Sequence, residues 1–269
     1  MPRDLIPIDD PDDPRIAAYR DIRERDLVGR QGRFVAEGKV VLSVLFSTAR
    51  FAAESVLLRQ NRVAGMDDLL TRIPAEVPVY VAAGPVMDAI AGFPMHRGVL
   101  AIGRRAVEEN PDTLVSRLPE KALVVALAGI ANHDNMGAIF RNAAAFGVDA
   151  VLLDGHCCDP LYRKAIRVSV GAALKVPFAR TSSTETLAAT LAAHSFAMLA
   201  LSPGGTREIT EVATGPRTAL LLGAEGPGLP PALLERLPTV RIAMRDDFDS
   251  LNVAAASAIA LHHLWRPDK

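Results

Sequence analysis

Short, almost uninterrupted apolar runs, each ending near a turn with glycine or asparagine, recur through the second half of this chain. Ala122-Leu-Val-Val-Ala-Leu127, Ala150–Leu153, Phe196–Leu201, Thr218–Leu222 and Val240–Ala243 read as strands. A strand with one wet face alternates apolar and polar residues, whereas one covered on both faces does not. Between these runs lie helix patterns, expected over Gly137–Phe146, Pro160–Val170, Pro230–Leu237 and Leu251–Leu264, with Gly147 as a left-handed cap. Such strands alternating with helices predict an α/β fold with a parallel sheet covered on both sides.

The whole chain sets outer bounds. With 269 residues, 49% of them apolar, it can bury a substantial core. No apolar run reaches the ~20 residues that span a bilayer, so no membrane partner is expected. The start, Met1-Pro-Arg-Asp-Leu, lacks the basic-then-apolar order of a secretory signal. Cys157 and Cys158 are adjacent; they cannot cross-link distant segments, and two thiols do not make a tetrahedral zinc site. A cytoplasmic location and no metal are expected.

Net charge is −1, which excludes a global basic field, so a nucleic-acid partner would need local positive charge. Arg15, Arg20, Arg23, Arg25, Arg30 and Arg33 crowd one segment just after Asp9-Asp10-Pro-Asp12-Asp13. Pro14 suits the first turn of a helix there, with Asp13 as its cap. This segment reads equally as a basic helix for RNA and as a solvated helix paired to nearby acids.

Before residue 106 the pattern also alternates. Phe34-Val-Ala-Glu37-Gly38 runs from a strand edge into a helix over Val40–Ala49. Ser55–Leu58, Val77–Val81 and Gly98–Ile102 are β-rich, with a short helix at Met87–Ile90. Residues 107–120 lose apolar periodicity and contain Pro111 and Pro119, so the linker is expected there, with domains over 1–106 and 121–269.

Three turns in the second half carry polar groups that simple loops do not require. They are Asn135-Met-Gly-Ala-Ile-Phe-Arg141-Asn-Ala-Ala-Ala-Phe-Gly147, then Leu221-Leu-Gly-Ala-Glu225-Gly-Pro-Gly228-Leu, then Ile242-Ala-Met244 followed by Ser250-Leu-Asn252-Val. Ligands of open α/β sheets sit beyond the carboxyl ends of strands, where all three fall. Glycines at 223, 226 and 228 let backbone approach a flat ligand, or serve an ordinary strand-to-helix loop. Their order is not a dinucleotide fingerprint. Asn135 is expected at or near an N-cap. If Arg141 faces the interior it needs a partner, either a phosphate or ribose or the carboxylate of Glu225. Ser250 is a natural N-cap for the last helix, which leaves Asn252 without an assigned purpose. His133 and Asp134 lie in a loop and lack a third orienting group.

Together the three motifs resemble those of the SpoU/TrmH-like ribose methyltransferases of the SPOUT superfamily, over roughly residues 120–265. The first hundred residues more loosely resemble the L30e-like RNA substrate-binding domain that precedes many such enzymes, on Phe34, Glu37-Gly38 and Arg97-Gly98-Val-Leu-Ala. The resemblance implies a C-terminal parallel-sheet domain with a trefoil knot, an exception to the rule that chains do not thread, and a homodimer. It implies S-adenosyl-L-methionine held by backbone at Gly223, Ile242 and Leu251, with Leu201 and Met244 lining the pocket. Asn135, Arg141, Glu225, Ser250 and Asn252 take the catalytic positions, and the substrate is a ribose 2′-hydroxyl of rRNA or tRNA. Asp159-Pro-Leu-Tyr-Arg-Lys164-Ala-Ile-Arg167 resembles a further family segment, whose Lys164 and Arg167 could meet phosphates or stay solvated. Departures occur at Ala243, Asp246 and Asp247, where the family favours Pro and Gly, at Asn142 in place of threonine, and at Ala254 in place of serine. A non-catalytic RNA-binding protein and a base-directed methyltransferase remain as alternatives.

Overall fold

A computed structural model describes residues 4–20, 28, 31–91, 98–245, 247 and 249–265. Arg23, Arg25, Arg30, Arg97 and Asp246, singled out above, lie outside them. Contacts divide the chain into two compact units, residues 1–107 with 161–175, and residues 108–160 with 176–269.

The second unit contains a seven-stranded sheet. Its strands are β6 (Ala122–Ala128), β7 (Ala150–Leu153), β8 (Phe178–Arg180), β9 (Ala197–Leu201), β10 (Arg207–Glu208), β11 (Arg217–Gly223) and β12 (Thr239–Arg241). Their order is β10-β12-β9-β11-β6-β7-β8, and every pairing is parallel. All seven residues of β6 are buried, as expected of a strand covered on both faces. Alternate residues Ala122, Val124, Ala126 and Ala128 pack into one core with Leu187 and Leu191 of the helix Thr184–Ala193. The helices His133–Ala145 and Val253–Leu264 bury Met136, Ile139, Phe140 and Ala143, and Ala260, Leu261 and Leu264.

Several boundaries shift for identifiable reasons. Asn132 is the N-cap of the motif-one helix, its carboxamide accepting from Asp134 N at 2.8 Å, so the helix starts four residues earlier than expected and Asn135 sits inside its first turn. The expected linker holds a short helix, Pro111–Ser116, because Asn110 caps it and Pro111 suits its first position. The pattern over Pro160–Val170 becomes two short helices, Arg163–Val168 and Ala172–Lys175, broken where Val170 and Gly171 adopt positive φ. Gly147 has φ +62°, the left-handed cap read from the sequence.

Asp154, just past β7, ties the ends of the inner strands together. Its Oδ1 accepts from the amides of Gly129, His156 and Cys157, and its Oδ2 from the Thr184 hydroxyl at 2.9 Å. Burial alone would raise its pKa, but these donors outweigh burial and hold the carboxyl below its ordinary value. Arg180 clamps the same loop through the carbonyls of Asp154 and Cys157. Cys157 and Cys158 are both free thiols, and burial pushes them up to about 12 and about 11. Neither is ionised near neutrality, so neither is a reactive nucleophile.

The first unit holds a mixed five-stranded sheet, β1-β4-β3-β5-β2, made of β1 (Leu5–Ile8), β2 (Arg33–Glu37), β3 (Ala52–Arg59), β4 (Val79–Ala82) and β5 (Val99–Arg104). Strand β1 was not legible in the sequence, since its run includes Pro7 and only four residues. The stretch expected as a basic helix is a 3-10 turn over Pro14–Tyr19, capped by Asp13. Its described arginines pair locally, Arg15 with Asp13 at 2.6 Å and Arg20 with Asp12 at 2.6 Å, while Arg33 reaches Glu54 at 2.8 Å. Of the two readings offered for this segment, pairing to acids describes these three residues.

The sequence placed residues 161–175 in the C-terminal domain, yet their contacts group them with the first unit. Glu37, 6% exposed, accepts from Arg163 Nε at 3.0 Å and Nη2 at 2.9 Å. A Cβ at Gly171 would lie 3.1 Å from Val44 Cβ, so this segment packs tightly on the helix Lys39–Leu45.

Candidate functional site

Beyond the carboxyl ends of the neighbouring strands β12, β9 and β11 lies a cavity of about 510 Å³. It is lined by Leu201 and Ser202 at the end of β9, by Leu222, Gly223, Ala224, Glu225, Gly226 and Gly228 around the end of β11, and by Ile242 and Met244 after β12. Ser250, Leu251 and Asn252 close it from the start of the last helix. All five residues expected to hold a cofactor, Leu201, Gly223, Ile242, Met244 and Leu251, thus line one space. The position is the one that open α/β sheets give to ligands.

The glycine turn has a specific geometry. Gly226 and Gly228 adopt φ +84° and +70°, and Gly228 N donates to Ala224 O at 3.0 Å to close the loop. Gly223 is needed for a different reason. A Cβ there would overlap the carbonyl carbon of Gly228 and the amide nitrogen of Leu229. The turn therefore folds back over the end of β11, and only a hydrogen at position 223 allows it.

Asn252 answers the question that its sequence position left open. It, and not Ser250, is the N-cap of the last helix: its Oδ1 accepts from Ala254 N at 2.9 Å and Ala255 N at 3.3 Å. Its Nδ2 donates to Asn135 Oδ1 at 2.9 Å and to Glu225 Oε1 at 2.7 Å. One carboxamide thus joins all three motifs and starts the helix. A cap of this kind contributes about 1 kcal/mol, and a hydrogen bond to an ionised carboxylate roughly 1.5–3 kcal/mol.

Arg141 is placed differently from the interior reading. It is exposed, on the face of its helix away from Met136, Ile139, Phe140 and Ala143, and it does not line the cavity. No ion pair between Arg141 and Glu225 occurs among the described residues. Glu225 is engaged by Asn252 instead. Ser250 lines the cavity without capping the helix. Three of the five catalytic candidates, Glu225, Ser250 and Asn252, therefore line one cavity; the buried Asn135 is tied to them through Asn252, and Arg141 is exposed outside that lining.

Asn142, one of the departures, packs where two helices cross. Its Nδ2 donates to Ala254 O at 2.8 Å and to the fully buried Ser257 Oγ at 2.9 Å. Sequence reasoning saw only the missing threonine; the partners lie more than 110 residues away, so no local pattern reveals them. Among the other departures, Asp247 is exposed, 3.5 Å from Arg245 Nε. No group of three or more potential metal-ligating side chains occurs among the described residues, and none of their helices is long and apolar enough to cross a membrane.

Comparison with known proteins places this arrangement. The model of the SpoU rRNA Methylase family matches residues 122–262. An uncharacterized tRNA/rRNA methyltransferase of Mycobacterium bovis is 40% identical, over 98% of this chain and 92% of its own length. The 23S rRNA (guanosine-2'-O-)-methyltransferase RlmB of Acinetobacter baylyi is 30% identical, over 72% of this chain and 80% of its own. A crystal structure of an RNA 2'-O ribose methyltransferase superposes with a TM-score of 0.79 at 25% identity, covering 96% of this chain and 98% of that one. An AdoMet-bound rRNA methyltransferase from Sinorhizobium meliloti shares the fold with a TM-score of 0.81 at 22% identity, across 97% of both chains. With matches of this extent, the chain belongs to the SpoU rRNA methylase family.

Proposed function

We propose that the protein transfers a methyl group from S-adenosyl-L-methionine to a ribose 2′-hydroxyl of ribosomal or transfer RNA. The observation that carries this reading is the Asn252 junction in the cavity wall, which ties residues from three distant motifs together by hydrogen bonds. Support also comes from the relatives, one named as a guanosine-2'-O-methyltransferase and one solved with AdoMet bound.

The cavity fits such a cofactor. Its volume is within the ~300–1,000 Å³ usual for ligand sites. Leu201, Leu222, Ile242 and Met244 offer apolar walls to a flat base, and the glycine turn exposes backbone for polar contacts. The bound cofactor would supply a methyl on a sulfonium, already a good leaving system, so catalysis falls mainly to positioning.

The 2′-hydroxyl is a poor nucleophile until its proton is drawn off, and that proton would pass to solvent water as the oxygen takes the methyl. A guanidinium keeps its protons in proteins and is a poor base; we assign Arg141 to binding the RNA backbone and stabilising charge that develops on the attacking oxygen. Ser250 and Asn252 hold the ribose, with Asn135 and Glu225 fixing the Asn252 carboxamide.

In the same reading the C-terminal unit carries the trefoil knot of its superfamily, and the first unit is an L30e-like domain that binds the RNA. We place the protein in the cytoplasm, where both RNAs occur.

Mapping 2′-O-methyl groups in RNA from cells with and without the protein tests the function. One or a few riboses should lose their methyl. Loss of a base methyl instead would establish the base-directed alternative, and an unchanged map with no transfer by the purified protein to any cellular RNA would favour the non-catalytic one.

A homodimer is part of this reading. Ile259 is 45% exposed on the last helix and Trp265, just beyond it, is 44% exposed, with Leu251 at the cavity also uncovered. Large apolar groups left exposed along the last helix and at its two ends are suited to a twofold interface. Light scattering should give twice the chain mass, and a monomer at micromolar concentration would contradict it.

A further inference from the structure

Methyl transfer changes the charge of what the cavity holds. As the S–CH3 bond breaks, its electron pair stays on sulfur, so the sulfonium of S-adenosyl-L-methionine becomes the neutral thioether of S-adenosyl-L-homocysteine. Used cofactor must then leave, and a site that holds both forms equally well is inhibited by its own product. Among the described residues lining the cavity, Glu225 alone is ionisable, and none is a lysine, arginine or histidine. The hydrogen bond that Glu225 Oε1 accepts at 2.7 Å comes from the neutral carboxamide of Asn252. Charge in this lining is therefore of one sign, with no cation there to cancel the carboxylate.

The adjoining loop adds charge of the same sign. Met244 and Ser250 both line the cavity, and the described residues between them are Arg245, Asp247 and Asp249, all exposed. Arg245 Nε lies 3.5 Å from Asp247, which offsets that acid and leaves Asp249 to make the loop net negative. The sequence adds Asp246 to the same run. Acids are unfavourable beside the phosphates of RNA. A loop that carries them where the family favours Pro and Gly therefore suits the other ligand of this sheet edge, the cationic cofactor.

We propose that Glu225, aided by Asp247 and Asp249, makes the cavity select the cationic cofactor over its neutral product, so that product is exchanged after each transfer. The inference rests on the reading of the protein as a methyltransferase. The ammonium and carboxylate of the amino-acid end are common to both molecules and cancel in the comparison. A carboxylate lining a wet cavity attracts a cation through screened Coulomb energy, a factor of about three to five in affinity, and does little for a thioether. Glutamine at 225 separates this role from the fixing of Asn252, because its amide oxygen still accepts from Asn252 while the charge is gone.

The test is calorimetry on the full chain without RNA, using S-adenosyl-L-methionine, S-adenosyl-L-homocysteine and sinefungin, which carries an ammonium in place of the methylsulfonium. Packing against the methyl can also favour the cofactor, and sinefungin isolates the charge from it. Glu225→Gln should lower the ratio of cofactor to product affinity by about three- to fivefold, with cofactor and sinefungin weakened and product little changed. Asp247→Asn/Asp249→Asn should lower it by roughly twofold, as exposed charges act across a screened distance. Glu120→Gln, an exposed change just before β6 at the amino edge of the sheet, should leave the ratio as in wild type. Raising salt from about 0.02 M to about 0.5 M should shrink the wild-type ratio in the same direction. That series decides the matter even if Glu225→Gln fails to fold. An unchanged ratio in folded Glu225→Gln, equal weakening of all three ligands, or a wild-type ratio indifferent to salt would overturn the proposal. Methyl transfer to RNA beside such a result would leave the enzymatic reading intact. Charge-dependent selection in a protein that methylates no RNA would keep the proposal and remove that reading, and a wild type that binds none of the three would remove both.

Discussion

Arg141→Ala is expected to cut methyl transfer by about 10²–10³-fold, the scale of losing one donor to a developing oxyanion. The thermal midpoint should stay within about 2 °C of wild type, as for an exposed side chain without buried partners. The sequence left two explanations open for this residue. An arginine buried against Glu225 would strand a charge when its partner is removed, at a cost of about 3–5 kcal/mol. The structure removes that competing stability effect, because Arg141 is exposed and Glu225 accepts from Asn252. Activity and stability should therefore separate cleanly in this variant. Cofactor affinity should also hold, since Arg141 does not line the cavity. A folded Arg141→Ala protein with undiminished transfer would end its catalytic assignment.

What was legible in the sequence follows the range of the interactions concerned. The strands of the second unit announced themselves because burial on both faces leaves an apolar run, as in β6. The cavity was legible too, since glycines and apolar strand ends in a parallel sheet converge on its carboxyl edge. Local capping was misread by a few residues. Serine and asparagine cap equally well by rank, but Asn252 also meets Asn135 and Glu225, and those contacts decide where the helix begins. Strand β8, three residues long, and β10, two residues long, are too short to show a pattern. The grouping of residues 161–175 with the first unit depends on Glu37 and Arg163, 126 positions apart, and no periodicity reports such a pair.

Gly223→Ala should weaken S-adenosyl-L-methionine binding by about 100-fold, through the shape of the loop and not by touching the ligand. The added Cβ would overlap the peptide joining Gly228 to Leu229, and backbone cannot swing aside as the end of a long side chain can. The turn must lift, and with it the backbone of Ala224, Glu225, Gly226 and Gly228, which line the cavity. Losing two backbone hydrogen bonds of about 1–1.5 kcal/mol each gives that factor. Overpacking should also cost about 1–3 kcal/mol of stability, so binding must be measured by calorimetry well below the thermal midpoint. Gly226→Ala provides the contrast. Its φ of +84° strains an alanine, yet a Cβ there meets nothing within 4 Å. Strain without a clash should cost about 1 kcal/mol and less than tenfold in affinity. Equal losses in the two variants would show that the turn tolerates no change anywhere, and the specific role of the bare α-carbon at 223 would fall. Wild-type affinity in a folded Gly223→Ala protein would go further and remove this turn from the cofactor site.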